Sequence, residues 1–195
     1  VSYGWHHHYV TDAFWSPGGK KVLTKSGTTM RIWDATYPNL LHDFDYKNYT
    51  IKYASWSPNG NEVLINLNDS SAKIWDAQSG KLLQNLIAHT EEINSTIWSP
   101  DGKMILTSAS DETKIWNAHN GMLLNTFEGN TSKFKSNPWS PDGSMVATSK
   151  TGIIYIWEAS SGRLINGLKE FGEKHDGQEK QGGLKEFGGL KEFGK

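Results

Sequence analysis

The chain has 195 residues and a formal net charge of −1, which gives no electrostatic basis for binding nucleic acid or an anionic membrane. It contains no cysteine, which excludes disulfides and thiolate metal sites and favours a cytoplasmic location. No apolar run approaches the roughly 20 residues that a membrane-spanning helix requires. The sequence starts at Val1 rather than Met, and we expect an upstream part to be missing.

Two tryptophan motifs recur along the chain with the same period. Trp-Ser-Pro occurs four times, at steps of 41, 42 and 41 residues. Ile-Trp followed by Asp, Asn or Glu also occurs four times, at steps of 42, 41 and 41 residues. Two independent markers with one period predict four copies of one structural unit. The tryptophans are Trp15, Trp56, Trp98 and Trp139 in the first motif and Trp33, Trp75, Trp116 and Trp157 in the second.

Each unit has the pattern of four short strands. Trp-Ser-Pro is followed by a turn with glycine, then by an apolar run of β-forming residues, a polar turn, the Ile-Trp strand, and a last strand rich in leucine. Four strands in about 41 residues are typical of a propeller blade, and no segment has a helical period. We therefore predict an all-β propeller over residues 1–168. Its blades span about residues 6–46, 47–88, 89–129 and 130–168.

These motifs resemble those of WD40-repeat proteins, in the style of bacterial members, over residues 6–168. The resemblance is strongest from His89 to Asn117. In that family a His, a Ser or Thr, an Asp and the Trp form a hydrogen-bonded network that braces the blade. By position the resemblance implies that network for His89, Thr107, Asp111 and Trp116. The other repeats keep only fragments of it.

The number of blades leaves three alternatives open. WD40 propellers usually close with about seven blades, whereas this sequence contains four units. The chain is a part of a larger propeller, or half of an eight-blade ring made by two copies, or a ring of four blades. An open row of blades would expose two apolar blade faces, and we expect such faces to permit self-association.

The composition changes after residue 168. Gly-Leu-Lys-Glu-Phe-Gly occurs at 167–172, 183–188 and 189–194, separated by charged and glycine-rich residues. Low β-branched content together with charge and glycine predicts a disordered tail over residues 169–195. The alternative is that its Leu and Phe form short partner-binding motifs.

Several histidine, threonine and acidic residues are of types that could bind a metal or act in catalysis, but their patterns fit structural roles better. His6, His7 and His8 are consecutive, and consecutive strand residues point to opposite faces, which argues against a metal site. His89, Thr107 and Asp111 resemble a catalytic triad in composition only, because their pattern belongs to the bracing network. The acidic or amide residue after each Ile-Trp fits turn hydrogen bonding better than catalysis. We therefore predict no catalytic, metal or cofactor site.

Pro138 precedes the fourth Trp-Ser-Pro tryptophan, where an inner strand is expected. Proline lacks an amide donor, so we predict a bulge or an edge at this point.

The loops at one end of the predicted propeller vary between repeats while the framework does not, which favours partner binding there. The candidate anchors on this rim are Tyr9, Tyr49, Glu91 and Lys133, with Glu92, Asn68, Glu112 and Lys150 as further rim residues. The sequence thus predicts a non-catalytic scaffold that binds other proteins or peptides, as part of a larger regulatory or signalling protein. The alternative is an accessory propeller of a hydrolase or of a TolB-like envelope protein.

Overall fold

The computed structural model describes residues 9–37, 39–87, 89–110, 112–131, 134, 137–169 and 185–186. These residues form strands and turns without any helix, in four antiparallel sheets. Accordingly, the described part of the chain contains no helix with the length and hydrophobicity of a membrane span. The predicted all-β architecture of propeller-type blades is confirmed.

Blades 1 and 2 are complete sheets whose strands pair in chain order. Blade 1 contains β1 (Asp12–Trp15), β2 (Lys21–Ser26), β3 (Thr29–Asp34) and β4 (Leu40–Asp45). Blade 2 contains β5 (Ile51–Trp56), β6 (Glu62–Leu67), β7 (Ser71–Asp76) and β8 (Leu82–Ile87).

Blade 3 is also complete, whereas blade 4 has three regular strands and a short added one. Blade 3 contains β9 (Ser95–Trp98), β10 (Met104–Ser108), β11 (Glu112–Asn117) and β12 (Leu123–Glu128). Blade 4 contains β13 (Met145–Lys150), β14 (Ile153–Glu158) and β15 (Leu164–Lys169), and β16 (Lys185–Glu186) pairs with the outer edge of β15.

The described residues of the inner segment of blade 4 pair with β13 through two isolated bridges. Trp139 pairs with Val146 and Asn130 pairs with Ser149. The amide of Ala147 donates to the carbonyl oxygen of Pro138 at 2.9 Å, but Pro138 has no N–H with which to return the bond. Within the residues that the structure describes, blade 4 thus differs from the four regular strands that the sequence predicts.

The Ser-Pro-x-Gly motif forms a tight turn between the first two strands of each blade. In blade 3, the amide of Gly102 donates to the carbonyl of Ser99 at 2.9 Å, and Gly102 has a φ of 71°. This left-handed conformation explains why the last turn position is glycine in all four repeats. The equivalent bonds are Gly19 to Ser16, Gly60 to Ser57 and Gly143 to Ser140.

The outer strand of every blade carries a β-bulge at the same position. In blade 1, Trp33 is opposite Leu40 and Ile32 is opposite His42, so Leu41 has no partner in the ladder. The other bulged residues are Leu83, Leu124 and Ile165. All four bulged residues are large aliphatic residues that are about two-fifths exposed at the perimeter of the molecule (Leu41 39%, Leu83 42%, Leu124 41% and Ile165 44%).

The core consists of three apolar clusters, each made by two neighbouring blades. We call the side of a blade that faces the next blade in chain order its forward face, and the opposite side its rear face. The forward faces of blades 1, 2 and 3 contribute Leu23, Ile32 and Phe44, then Leu64, Ile74 and Leu86, then Leu106, Ile115 and Phe127. The rear faces of blades 2, 3 and 4 contribute Trp56, Val63 and Ala77, then Trp98, Ile105 and Ala118, then Trp139, Val146 and Ala159.

The predicted disordered tail, residues 169–195, lies outside the described residues apart from Lys169 and β16. The disorder of the tail and the alternative of short partner-binding motifs therefore stay predictions. The domain boundary at residue 168 falls one residue before the end of β15.

Candidate functional site

Three residues of the expected bracing network lie within hydrogen-bond distance of one another in blade 3. The indole Nε1 of Trp116 donates to Oγ1 of Thr107 at 2.7 Å. Nε2 of His89 lies 2.7 Å from the same hydroxyl oxygen. All three side chains are buried, so each polar atom requires a partner within the protein. Asp111, the fourth expected member, lies outside the described residues.

The carboxylate of Glu112 lies beside the histidine. Nδ1 of His89 lies 3.1 Å from Oε1 of Glu112, and Nζ of Lys114 lies 2.7 Å from the same oxygen. The sequence predicts Glu112 as a rim residue and does not include it in the network. In the structure Glu112 begins β11, and its carboxylate joins the rim end of the blade to its interior.

The protonation of this network follows from its geometry. Burial, and then the charge of Lys114, lower the pKa of His89 below its ordinary value, more than Glu112 raises it. The hydrogen bond from Lys114 lowers the pKa of Glu112. A neutral imidazole beside a carboxylate carries its proton on Nδ1, so Nε2 accepts from the Thr107 hydroxyl. The donors then run in one direction, from Trp116 to Thr107 and from Thr107 to His89, and Nδ1 of His89 faces the Glu112 carboxylate.

Blades 1 and 4 keep the tryptophan–threonine part of this network. Nε1 of Trp33 donates to Oγ1 of Thr24 at 2.8 Å, and Nε1 of Trp157 donates to Oγ1 of Thr148 at 2.9 Å. In blade 4 the Thr148 hydroxyl donates to the main-chain oxygen of Glu128 at 2.7 Å, where blade 3 uses a histidine. The network of blade 4 thus ends on the main chain and contains no imidazole.

Blade 2 has no hydroxyl at the corresponding position. Ile65 lies opposite Lys73 in the ladder, as Thr107 lies opposite Lys114 in blade 3. Among the described residues, the buried Nε1 of Trp75 has no hydrogen-bond partner. The ring of Tyr46 packs edge-on against Trp75, with their centroids 6.4 Å apart, and burial raises the pKa of Tyr46 well above its ordinary value. Blade 2 therefore relies on apolar packing where blade 3 uses hydrogen bonds.

The acidic or amide residue after each Ile-Trp is engaged within its own turn. Oδ1 of Asp76 accepts from the amides of Gln78 and Ser79, and the hydroxyl of Ser79 holds the pKa of Asp76 below its ordinary value. Asp34 and Asn117 accept two turn amides each in the same way. These contacts give the residues a structural role at the strand ends.

The candidate rim lies at the end of the blades where the connecting loops meet the turns between second and third strands. The amide of Ile51 donates to the carbonyl of Gly27 at 3.0 Å, and the amide of Tyr46 donates to the carbonyl of Thr28 at 3.0 Å. These bonds fix the loop that enters blade 2 against the β2–β3 turn of blade 1. The two kinds of loop therefore form one surface.

Two of the predicted rim anchors are exposed aromatic residues. Tyr9 is 96% exposed and Tyr49 is 43% exposed. Glu91 is exposed as well, whereas Lys133 lies outside the described residues. The partner-binding role of all four stays a prediction.

The further rim residues differ in how strongly they are held. Glu92 forms an ion pair with Lys52 at 2.8 Å, and Lys150 contacts Glu128 at 3.3 Å. The side-chain oxygen of Asn68 accepts from the amide of Thr50 at 2.9 Å, which fixes the loop next to Tyr49.

The sequence did not single out two exposed residues of β5, Lys52 and Tyr53. A register shift between Ile51 and Tyr53 leaves Lys52 outside the ladder, and both Lys52 and Tyr53 are exposed. A bulge of this kind can direct toward solvent a side chain that regular alternation would place on the buried face. The interval from each Ile-Trp to the next Trp-Ser-Pro is constant at 23 residues, so the repeat contains no sign of it.

We define the rim surface as Tyr9, Tyr49, Lys52, Tyr53, Glu91 and Glu92. It combines aromatic side chains with charges of both signs on a backbone held by hydrogen bonds, a composition suited to protein contacts. In the described ranges no three His, Asp or Glu side chains are grouped as metal ligands. His6, His7 and His8 lie outside those ranges.

Comparison with known proteins gives one family match. The family model described as "Eukaryotic translation initiation factor eIF2A" matches residues 38–161, more than half of the chain. The matched segment runs from the end of the β3–β4 turn through blades 2 and 3 into β14 and the turn after it. No curated protein matches the chain.

Proposed function

Because the chain belongs to the eukaryotic translation initiation factor eIF2A family, we propose that it is a non-catalytic, WD40-type scaffold that binds a protein component of the translation initiation machinery. The family match supports a role in translation initiation, and the blade framework supports a scaffold. The rim surface is the proposed site of contact with the partner protein.

The observation that carries this proposal is the exposure of three tyrosines on a fixed framework. Tyr9, Tyr49 and Tyr53 are 96%, 43% and 43% exposed, although tyrosine buries substantial apolar area when it can. Tyrosine is enriched among residues that dominate binding energy at protein interfaces. Since Tyr49 and Tyr53 flank the hydrogen-bonded start of β5, little conformational entropy is lost when a partner covers them.

The WD40-type assignment rests on the bracing network. The His89–Thr107–Trp116 contacts connect the loop before the inner strand to the second and third strands. This connection holds the rim end of blade 3 in place, and a rigid scaffold with variable loops is suited to recognition.

The test is cosedimentation of the full chain with purified 40S ribosomal subunits, with and without initiation factors, using Tyr49→Ala/Tyr53→Ala. Loss of two interface tyrosines is expected to weaken binding about tenfold or more. The matched control is Tyr37→Ala, because Tyr37 is 67% exposed but lies in the β3–β4 turn at the opposite end. Unchanged binding by the double variant, or an equal loss in the control, would contradict the proposal.

A protein partner and an RNA partner predict different salt dependence. Contacts with RNA phosphates weaken steeply as salt rises, whereas contacts centred on tyrosine do not. We expect a shallow dependence, in keeping with the net charge of −1. A steep dependence together with binding to protein-free ribosomal RNA would contradict protein recognition.

A further inference from the structure

The outer edge of blade 1 combines an open strand, an apolar groove and an exposed carboxylate, and we propose that it binds an extended segment of a partner protein by strand addition. The bound segment alternates apolar and basic residues, with an apolar residue beside Phe44 and a lysine or arginine beside Asp45. The site lies on the perimeter of the molecule, outside the rim surface. The proposal is therefore independent of the proposed translation partner.

A groove with a volume of about 350 Å³ runs along β4. It is lined by every residue from 42 to 46 in blade 1, together with Trp75 and Gly80 of blade 2. Alternate side chains of a strand point to opposite faces, so a groove lined by consecutive residues lies along the edge of the strand rather than on one face. The main chain of β4 therefore borders the groove.

The main-chain groups of Asp43 and Asp45 point outward at this edge. The amide of Tyr46 donates to the carbonyl oxygen of Thr28 at 3.0 Å. In an antiparallel pair, residues that bond to the neighbouring strand alternate with residues whose N–H and C=O groups face away from it. By this alternation Phe44 bonds toward β3, whereas Asp43 and Asp45 present their groups to an added strand.

Blade 4 has an added strand at the corresponding place. β16 pairs antiparallel with the outer edge of β15, where Lys185 lies opposite Lys169. Lys169 also lies opposite Ile153, the first residue of β14, just as Asp45 lies opposite Thr29, the first residue of β3. The outer edge of a blade in this protein therefore accepts a further strand at the position of Asp45.

Aromatic and aliphatic side chains form the groove side of this edge. The ring centroids of Phe44 and Trp75 are 4.8 Å apart, and Tyr46 packs edge-on against Trp75. Leu82 lies opposite Trp75 in the ladder of blade 2, so it shares the face of Trp75, and it is 45% exposed. Alternate residues of an added strand would cover this surface, which favours valine, isoleucine or leucine at those positions.

The other positions of an added strand lie beside Asp43 and Asp45. Arg31 engages the Asp43 carboxylate, with Nη2 and Oδ2 at 2.9 Å. Asp45 is exposed, and its Oδ1 accepts from the amide of Lys47 at 2.9 Å. Asp45 is therefore the main charge that an added strand meets. Opposite charges on facing residues stabilise strand pairing and like charges destabilise it, which favours lysine or arginine in the partner.

The equivalent edges of blades 2 and 3 differ from that of blade 1 in charge. The positions of Asp43 and Asp45 are occupied there by Asn85 and Ile87 in blade 2 and by Thr126 and Glu128 in blade 3. These four residues are exposed, although the preceding blade covers the rear face of each of those two blades. Exposure at this edge is thus a property of the outer strand itself and does not depend on a neighbouring blade.

The test is fluorescence anisotropy of labelled synthetic peptides titrated with the full chain. The first peptide alternates valine and lysine, and the comparison peptide has glutamate in place of lysine. We expect saturable binding of the lysine peptide and about fivefold weaker binding of the glutamate peptide, because a like charge then lies beside Asp45. Asp45→Lys should reverse this preference. Glu128→Lys, at the equivalent position of blade 3, is the matched control and should leave the preference unchanged.

Methylation of the peptide amides tests the main-chain bonds without any change in the protein. Two further lysine peptides are methylated on complementary sets of alternate amides, and strand addition predicts that one of them loses binding while the other keeps it. Tyr49→Ala/Tyr53→Ala should bind the lysine peptide as the wild type does, which separates this site from the rim surface.

Four results would overturn the proposal. They are no binding of the lysine peptide, equal binding of the two methylated peptides, and an unchanged preference in Asp45→Lys. The fourth is equally tight binding of a peptide with the tail sequence Gly-Leu-Lys-Glu-Phe-Gly, because the chain's own tail would then fit the edge as well as a partner.

Discussion

Blade 3 and blade 4 share the turn sequence Ser-Pro-Asp-Gly and the threonine–tryptophan hydrogen bond, yet they differ in how much of the sheet is held. Blade 3 has a continuous inner strand and a buried His89, whereas blade 4 has two isolated bridges and a main-chain acceptor. Blade 3 is also covered on both faces. The shared turn and the threonine–tryptophan hydrogen bond therefore position the middle strands of a blade. The inner strand depends in addition on single residues such as Pro138.

The largest expected difference between the two blades concerns the shared threonine. Thr107→Val keeps the volume but leaves two buried polar atoms, on Trp116 and His89, without a partner, which costs about 2–4 kcal/mol in the free energy of unfolding. Thr148→Val should cost only about 1–2 kcal/mol, because Trp157 is less buried. Denaturant unfolding of both variants measures this.

Thr126→Val is the control for these substitutions, because Thr126 is exposed on the outer strand and should change stability by no more than about 0.5 kcal/mol. Equal losses for Thr107→Val and Thr148→Val would remove the energetic distinction between blades 3 and 4.

Blade 2 allows the hydroxyl to be added rather than removed. Ile65→Thr places a hydroxyl where Trp75 Nε1 lacks a partner, so it should be at least as stable as Ile65→Val, which has the same shape. By contrast, Val63→Thr places the hydroxyl where blade 3 has Ile105, a position that the tryptophan indole does not use as an acceptor, and should lose about 1–3 kcal/mol. Thermal and denaturant unfolding would decide, and a loss at position 65 equal to that at position 63 would argue against the role of the threonine.

Hydrogen exchange tests the inner strands directly. The amides of β9 lie in a four-residue ladder, whereas residues 137–139 are held only by isolated bonds. Amide hydrogen exchange in residues 137–139 should be about tenfold faster or more than in β9, because local opening there breaks fewer hydrogen bonds. Similar protection in the two segments would show that Pro138 has little effect on the sheet.

The smallest expected effect is a pH dependence of stability, which the network of blade 3 contributes and that of blade 4 does not. Because the pKa of His89 is lowered in the folded state, the unfolded chain binds the proton more readily, and stability is lost as pH falls below about 6.5. The stabilisation is complete above that value. Urea unfolding across this range should show a steeper acid loss for the wild type than for His89→Gln, and parallel curves would contradict a buried neutral His89.

The fold could be predicted in large part from the sequence, because its markers are local and repeated. The two tryptophan motifs set the period, and glycine at the end of each Ser-Pro turn reflects a left-handed backbone that few other residues adopt. The bulge or edge predicted at Pro138 stays a prediction, because neighbouring residues of the inner segment lie outside the described residues. The bulge at Lys52 and Tyr53 could not be predicted, because it changes the pairing without changing the number of residues.

The network around His89 could also be predicted only in part from the sequence. The positions of His89, Thr107 and Trp116 followed from the repeat, but the contact with Glu112 did not, because the sequence placed Glu112 on the rim. Side-chain length and direction at the start of β11 are decided only in the folded blade, where the Glu112 carboxylate lies beside the imidazole.

By itself, the sequence determined the class of fold, the blade period and the apolar positions that alternate between forward and rear faces. The tertiary structure decided which of those faces are covered. Trp15 and Trp56 occupy equivalent positions, yet one is 66% exposed and the other 9%, because burial depends on the neighbouring blade rather than on the residue. Periodicity is a local property of the chain, whereas burial is a property of the assembly of blades.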